Sequence, residues 1–361
     1  TFKRSSIKIL MITDSLGPGG AERQLYLLCK MLIQHGHDVA LISFSFGYYH
    51  SPLSNILDTV LVFQRTTRYD IRPLFRVSSA VKSISPDLIH TWGWMSTFSC
   101  AAISKYYSFP LVTSVRSGTP PKKNKRASLE IALSSQVISN SEAGLIAYKV
   151  PKQKGNVVYN GYDSSRENFS PISYNHRTVI MVARMTPEKD WKCFIDAARS
   201  VNNQMEWPVE FVGLGDGPER VKMLEYGKDL LDRGRLQLPG FVNEPLAWMI
   251  NADIGVLASS DDIHHEGTSN SILEYMACKL PVVCTRSGGN TETVIEGETG
   301  LFFNSGDSSM LSSEIISLLT DRKNALRLGL NGYNRINTIY TPENMYRETM
   351  SVYRNVINSL H

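Results

Sequence analysis

Glu266 and Glu274 stand eight positions apart in the run Glu266-Gly267-Thr268-Ser269-Asn270-Ser271-Ile272-Leu273-Glu274. Ser269 and Asn270 are both good helix N-caps, so the spacing predicts a loop carrying Glu266 and a helix running on to Lys279. Glu274 then falls about one turn inside that helix. The first amides of a helix have no partner within it. With the positive helix end, those amides suit a diphosphate, and two flanking carboxylates suit sugar and ribose hydroxyls. That is the chemistry of a nucleotide sugar. The same residues also read as a capping box, Ser271 with Glu274, beside a solvated loop acid at Glu266.

A basic pair precedes them. Arg184 closes the apolar run 178–184, and Lys189 follows five positions later, past Met185-Thr186-Pro187-Glu188. Both fall at the carboxyl edge of a predicted parallel sheet, where open α/β folds bind ligands. Two fixed cations there would neutralise a pyrophosphate whose charge grows as a glycosidic bond breaks. The plainer reading is a surface loop in which Lys189 pairs with Glu188 or Asp190. A third feature is Gly17-Pro18-Gly19-Gly20, between a strand and the helix that begins at Ala21. It lets backbone approach a phosphate, or it is only a tight turn. It is not G-x-G-x-x-G, so a dinucleotide site is poorly supported.

Other clusters carry less. Lys122, Lys123, Lys125 and Arg126, in the run 119–126, form a basic loop for anionic headgroups or a lipid-linked diphosphate, or simply a solvated loop. His264 and His265 beside Glu266 lack a second spaced ligand set, so no metal site is expected. Trp92, Trp94, Tyr106 and Tyr107 suit sugar stacking, with core packing the default. Five cysteines without a C-x-x-C pair suggest buried, reduced thiols.

These residues need a scaffold. With 361 residues there is chain for two domains, each with its own core. Charged residues make up 20% and the net charge is +4, which fits a soluble globular protein and gives no basic stripe for nucleic acid. No run approaches a membrane span, and no signal-peptide core is seen, so a cytoplasmic protein is expected. Mostly continuous apolar runs predict strands buried on both faces at 8–14, 38–44, 59–64, 87–91, 110–115, 136–140 and 157–161. A second set follows at 178–184, 209–215, 236–241, 252–259 and 281–286. Helices are expected over 190–204, 218–232, 244–251, 270–279, 308–320 and 322–337. Strand–helix alternation implies parallel sheets covered on both faces. The polar run 162–177 is the expected linker, and Thr341-Pro342-Glu343 starts a last helix over 342–359.

Taken together, the motifs resemble those of the retaining glycosyltransferases of family 4, over nearly the whole chain. The markers are Gly17 through Arg23, Ser139-Asn140-Ser141, Tyr159-Asn160-Gly161 with Asp163, and Arg184 through Lys189. They continue with Gly213 through Glu219, Pro239-Gly240-Phe241, the two glutamates, Pro281-Val282-Val283 and Gly288 through Glu292. The resemblance implies an α/β, GT-B fold: two Rossmann-like, doubly wound parallel-sheet domains facing across a cleft. It places the acceptor-side domain at 1–168, the donor-binding domain at 169–340, and at 341–361 a helix packing back on the first domain.

The resemblance also implies roles. Arg184 and Lys189 would bind the diphosphate, Glu266 the sugar, Glu274 the ribose, and amides at Asn270 and Ser271 the phosphate. Gly19 and Gly20 would close over the donor, and the base would lie near Gly240 and Phe241. Many members carry a histidine after the strand that here ends at Val115; this chain has Arg116, which would make the same contact or meet an acidic group. The implied activity is metal-independent transfer of a hexose, by default from a UDP-sugar, to a hydroxyl of a glycan or lipid-linked acceptor. No cofactor and no nucleic-acid partner are implied, and peripheral contact with an anionic membrane fits the basic loop. An epimerase of the same architecture and a non-catalytic nucleotide-sugar binder remain the alternatives.

Overall fold

In the computed structural model, residues 6–64, 70, 72–119, 124–166 and 169–359 are described. The chain divides into two compact units, Thr1–Gly161 with Pro342–His361, and Tyr162–Thr341.

The first unit is built on β1 (Lys8–Thr13), β2 (Asp38–Ser43), β3 (Thr59–Val62), β4 (Leu88–Trp92), β5 (Leu111–Val115), β6 (Gln136–Ser139) and β7 (Gly155–Val157). Among the described residues these form one parallel sheet in the order β3-β2-β1-β4-β5-β6-β7. Successive side chains of a strand leave on opposite faces, and both faces of β1 are dry. Ile9 and Met11 pack with Leu25, Leu28 and Leu32 of the helix Gly20–Gln34 and with Met350 and Tyr353 of the last helix, Pro342–Asn358. Leu10 and Ile12 pack instead with Val77 and Val81 of the helix Arg72–Ile84 and with Cys100 and Ile103 of the helix Trp94–Tyr107. A continuous apolar run is therefore what this strand requires. The last helix belongs to the first unit through that packing.

The second unit holds β8 (Arg177–Val182), β9 (Val209–Leu214), β10 (Leu236–Gly240), β11 (Ile254–Leu257), β12 (Val282–Thr285) and β13 (Gly300–Phe303). They are parallel in the order β10-β9-β8-β11-β12-β13. Val179 and Met181 pack under Trp191 and Phe194 of the helix Trp191–Gln204 and beside Leu311 and Ile315 of the helix Ser308–Thr320. In each unit the strand order reverses beside the first strand, between β1 and β4 and between β8 and β11. Those are the switch points at which open α/β sheets leave a crevice at the carboxyl edge.

Some expectations are corrected. The expected helix 218–232 is two helices, Arg220–Tyr226 and Lys228–Asp232, parted at Gly227, where a Cβ would come 2.6 Å from Leu236. The strand expected over 157–161 lies at Gly155–Val157, and β13 was not anticipated. The basic run is not simply a loop: Lys125 and Arg126 begin the helix Asn124–Leu133, while Lys122 and Lys123 lie outside the described residues. All five cysteines are free and buried. No helix among the described residues is long and apolar enough to cross a membrane.

Candidate active site

At the carboxyl edge of the second sheet, Lys189 and Glu266 meet. The Lys189 ammonium donates to Glu266 Oε1, and both side chains are nearly withdrawn from solvent, at 13% and 9% exposure. Ser259 Oγ donates to the same carboxylate oxygen at 2.6 Å, and His264 Nε2 lies 3.6 Å from Oε2. Burial by itself pushes the Glu266 carboxyl up. The Lys189 charge, with the His264 ring beside it, outweighs burial and holds the group well below the ordinary carboxylate range. The surface-loop alternative for Lys189 fails, because its side chain is nearly withdrawn from solvent and pairs with Glu266, while Asp190 is the N-cap of the Trp191–Gln204 helix, accepting from Cys193 N at 3.0 Å. Glu266 is not a solvated loop acid either.

Backbone stitching puts Glu266 there. The loop after β11 is tied to the loop after β8 by Asp190 N donating to Ala258 O (3.2 Å) and Ser260 N to Glu188 O (3.0 Å). The turn after β12 supports it from the other side, with Gly289 N donating to Glu266 O at 2.8 Å. Gly288 has φ +49°, and a Cβ there would lie 2.3 Å from Glu266 O, so only glycine lets the turn approach. On the far side of β8, a Cβ on Gly215 would fall 1.8 Å from Ala183 O, so the loop carrying Arg184 rests directly on backbone. Arg184 itself is exposed, and its carbonyl accepts from Trp191 Nε1 at 3.0 Å.

The helix Asn270–Ala277 begins at the β8/β11 switch point. Tyr275 fixes it: its hydroxyl donates to Val256 O at 3.0 Å and accepts from Val182 N at 2.6 Å, reaching both strands. Ser271 Oγ adds a bond to Val182 O at 2.6 Å. This overturns the capping box, since the N-cap is Ser269 and makes no side-chain capping bond. Glu274 is buried at 3% exposure, in the fifth position of the helix. Phe241, just past β10, is 58% exposed.

The remaining candidates lie on the first unit. Gly19 is the N-cap of the helix Gly20–Gln34. Arg116 follows β5, its guanidinium 4.0 Å from the centre of the Trp92 ring. Nη1 donates to Asn160 Oδ1 and Nη2 to Ser114 Oγ, both at 3.2 Å. Residue spacing did not reveal Asp14. Its carboxylate accepts from Ser96 N (2.7 Å), Met95 N (3.2 Å) and the Ser96 hydroxyl, closing the N-terminus of the helix Trp94–Tyr107 at the β1/β4 switch point. Trp92 is core, whereas Trp94 stacks on Phe98 and Tyr106 is exposed. Among the described residues no group of three or more His, Cys, Asp or Glu is placed to hold a metal.

Comparison with known proteins places the chain in a family. Residues 18–166 match the family described as Glycosyltransferase Family 4, and residues 176–321 the one described as Glycosyl transferases group 1. The chain is 25% identical to 2-deoxystreptamine N-acetyl-D-glucosaminyltransferase of Niallia circulans, over 51% of this chain and 47% of that protein. It is 29% identical to the lipopolysaccharide core biosynthesis glycosyltransferase LpsE of Rhizobium meliloti, over 44% of each. The chain thus spans about half the length of these curated relatives. Among solved structures, Anabaena Alr3699/HepE in complex with UDP superposes with a TM-score of 0.84 at 22% identity, covering 97% of this chain and 100% of that one. The fold is of the GT-B type.

Proposed function

We propose, from the premise that this chain belongs to the glycosyltransferases of family 4, that it moves a sugar from a nucleoside diphosphate sugar to an acceptor hydroxyl. The donor is a UDP-sugar, and the acceptor is a glycan or a lipid-linked saccharide of cell-surface polysaccharide or glycolipid synthesis. The relatives support this reading: one is a lipopolysaccharide core glycosyltransferase, and Alr3699/HepE was solved with UDP and with UDP-glucose. The single observation that carries it is the buried Lys189–Glu266 pair, held beside a helix N-terminus at the second unit's switch point.

In this mechanism the amides at Asn270 and Ser271 and the side chains of Arg184 and Lys189 take the diphosphate. Glu274 accepts from the ribose hydroxyls, Glu266 from the sugar, and Phe241 borders the base. As the bond from C1 to the phosphate oxygen breaks, negative charge builds on the leaving diphosphate. Arg184 and Lys189 neutralise that charge more strongly in the transition state than in the ground state. The acceptor oxygen bonds to C1 from the same face, its proton passing to the departing phosphate, so anomeric configuration is retained. Fixed cations do the work of a metal ion. The enzyme acts at the cytoplasmic face of a membrane, where the charges of Lys122, Lys123, Lys125 and Arg126 favour anionic headgroups or the acceptor.

The test is UDP release from a panel of UDP-sugars, first alone and then with lipid extracts, for the wild type, E266Q and R184A. Acceptor-dependent release that falls about 100-fold or more in E266Q is expected. Epimerised donor without acceptor would favour the epimerase instead. Undiminished transfer in both variants would overturn the site.

A further inference from the structure

Among the described residues, Arg116 is a cation without an anion. Arg177, Arg199 and Arg286 each reach a carboxylate in the second unit, at 2.7 Å for Arg177 to Asp253 and Arg199 to Asp229. Arg116 reaches none among the described residues. It spends two of its five N–H donors on neutral acceptors, the Asn160 amide oxygen and the Ser114 hydroxyl. Its Nε is buried and has no hydrogen-bond partner.

The surroundings of this guanidinium are neutral by construction. Ser114 Oγ lies 2.8 Å from His90 Nε2, and His90 Nδ1 lies 2.6 Å from the Tyr353 hydroxyl. With Ser114 accepting from Arg116, its own proton goes to Nε2, and Nδ1–H donates to Tyr353. One donor and one acceptor on a neutral imidazole complete the chain. Burial, and then the Arg116 charge, hold the His90 pKa well below 6.5, so the ring stays neutral. The Trp92 face adds cation–π attraction and fixes the plane of the fork. Burial lowers the Arg116 pKa from 12.5 to about 9, which leaves it charged near neutral pH. A buried cation is costly unless paired. Here a tryptophan, a serine and an asparagine hold the fork at the carboxyl edge of the sheet, and none of the described residues supplies a counter-charge.

We propose that Arg116 is an anion-recognition residue: its fork takes an oxyanion, carboxylate or phosphoryl, carried by a sugar substrate, and makes this chain select an acidic sugar. The inference rests on the glycosyl-transfer reading and sharpens its substrate class. Planar bidentate recognition is what arginine offers over lysine. The oxyanion belongs either to the donor's sugar or to the acceptor, and two binding arms separate these sources.

Calorimetry on the full chain compares UDP-glucuronate with UDP-glucose for the donor arm. Glucuronate and glucose 6-phosphate are compared with glucose, without nucleotide, for the acceptor arm. In at least one arm the acidic member is expected to bind about 10-fold or more tightly. That preference should vanish in R116Q and fall in R116K, while UDP affinity stays unchanged. Should R116Q not fold, R116K carries the comparison, since it keeps the charge and loses the fork. Equal affinity for acidic and neutral sugars in both arms, or a preference that survives in both variants, overturns the inference and leaves the transfer reading standing. Failure to bind UDP at all would sink the transfer reading, and this inference with it.

Discussion

The two units place a helix N-terminus at the same point of the same kind of sheet and treat it in opposite ways. In the first unit the helix Trp94–Tyr107 starts at the β1/β4 reversal, and the Asp14 carboxylate takes its Met95 and Ser96 amides. In the second unit the helix Asn270–Ala277 starts at the β8/β11 reversal, and its N-cap residue makes no side-chain bond to it. A carboxylate satisfies the amides and the dipole that a phosphate would otherwise use. The first switch point is therefore closed by the protein's own anion. The second is bordered by Lys189, Arg184 and two buried glutamates. Architecture alone does not make a phosphate site; what stands at the helix end decides.

The largest effect that could break this contrast is removal of Lys189. Glu266 would keep Ser259 and His264 as partners but lose the ammonium that holds it ionised. Breaking a buried pair from one side costs about 3 kcal/mol or more, because the remaining charge stays desolvated. Denaturant unfolding of K189A should show that loss together with weakened UDP binding. An unchanged midpoint would mean that the pair is solvated, and that the second switch point is no more charged than a surface loop.

D14A tests the other side. It leaves the Met95 and Ser96 amides without their acceptor, at a cost of about 1 to 2 kcal/mol, the size of a lost N-cap. UDP affinity should not change. If D14A weakened UDP binding as much as K189A, the assignment of the nucleotide to the second unit would be wrong.

How much of this was legible in the sequence follows from the range of each interaction. The strands β1, β2, β8 and β9 are legible because strands buried on both faces are mostly apolar runs without alternation. Gly300–Phe303 gives a weaker signal, because it opens on a glycine and holds only three apolar residues, too short an apolar run to separate a strand from a loop. Local chemistry also misled: the spacing of Ser271 and Glu274 matches a capping box, yet Ser271 turns to the Val182 carbonyl on a neighbouring strand. Asp14 was invisible for the same reason. Its partners lie more than eighty residues away, and only strand order brings them to it. Lys189 and Glu266 were named from residue type and edge position, but their pairing depends on β8 and β11 being neighbours, which no local pattern states. The isolation of Arg116 needed the whole surroundings, since a missing partner has no sequence signature.

The smallest effect separates the units by pH. In the first unit His90 is buried and neutral, with its pKa well below 6.5. Below that value the unfolded chain binds a proton that the folded unit refuses, so stability falls as pH falls. In the second unit the Glu266 pKa lies below its ordinary 4.5, so its contribution is full above 4.5 and is lost only as pH falls beneath that. Between about pH 7 and about pH 5.5 the first unit should therefore lose about 1 kcal/mol through His90, while Glu266 changes nothing in the second. Hydrogen exchange, corrected for intrinsic rates, reads the units apart: amides of β4 and β5 should lose protection in that window and those of β8 and β11 should not. Equal loss in both sheets would show that the units unfold together, and no loss in either would show that His90 takes up its proton in place. Either result would remove the claim that the two edges answer acid separately, because that claim needs a neutral histidine chain under one sheet and an ionised glutamate above the other.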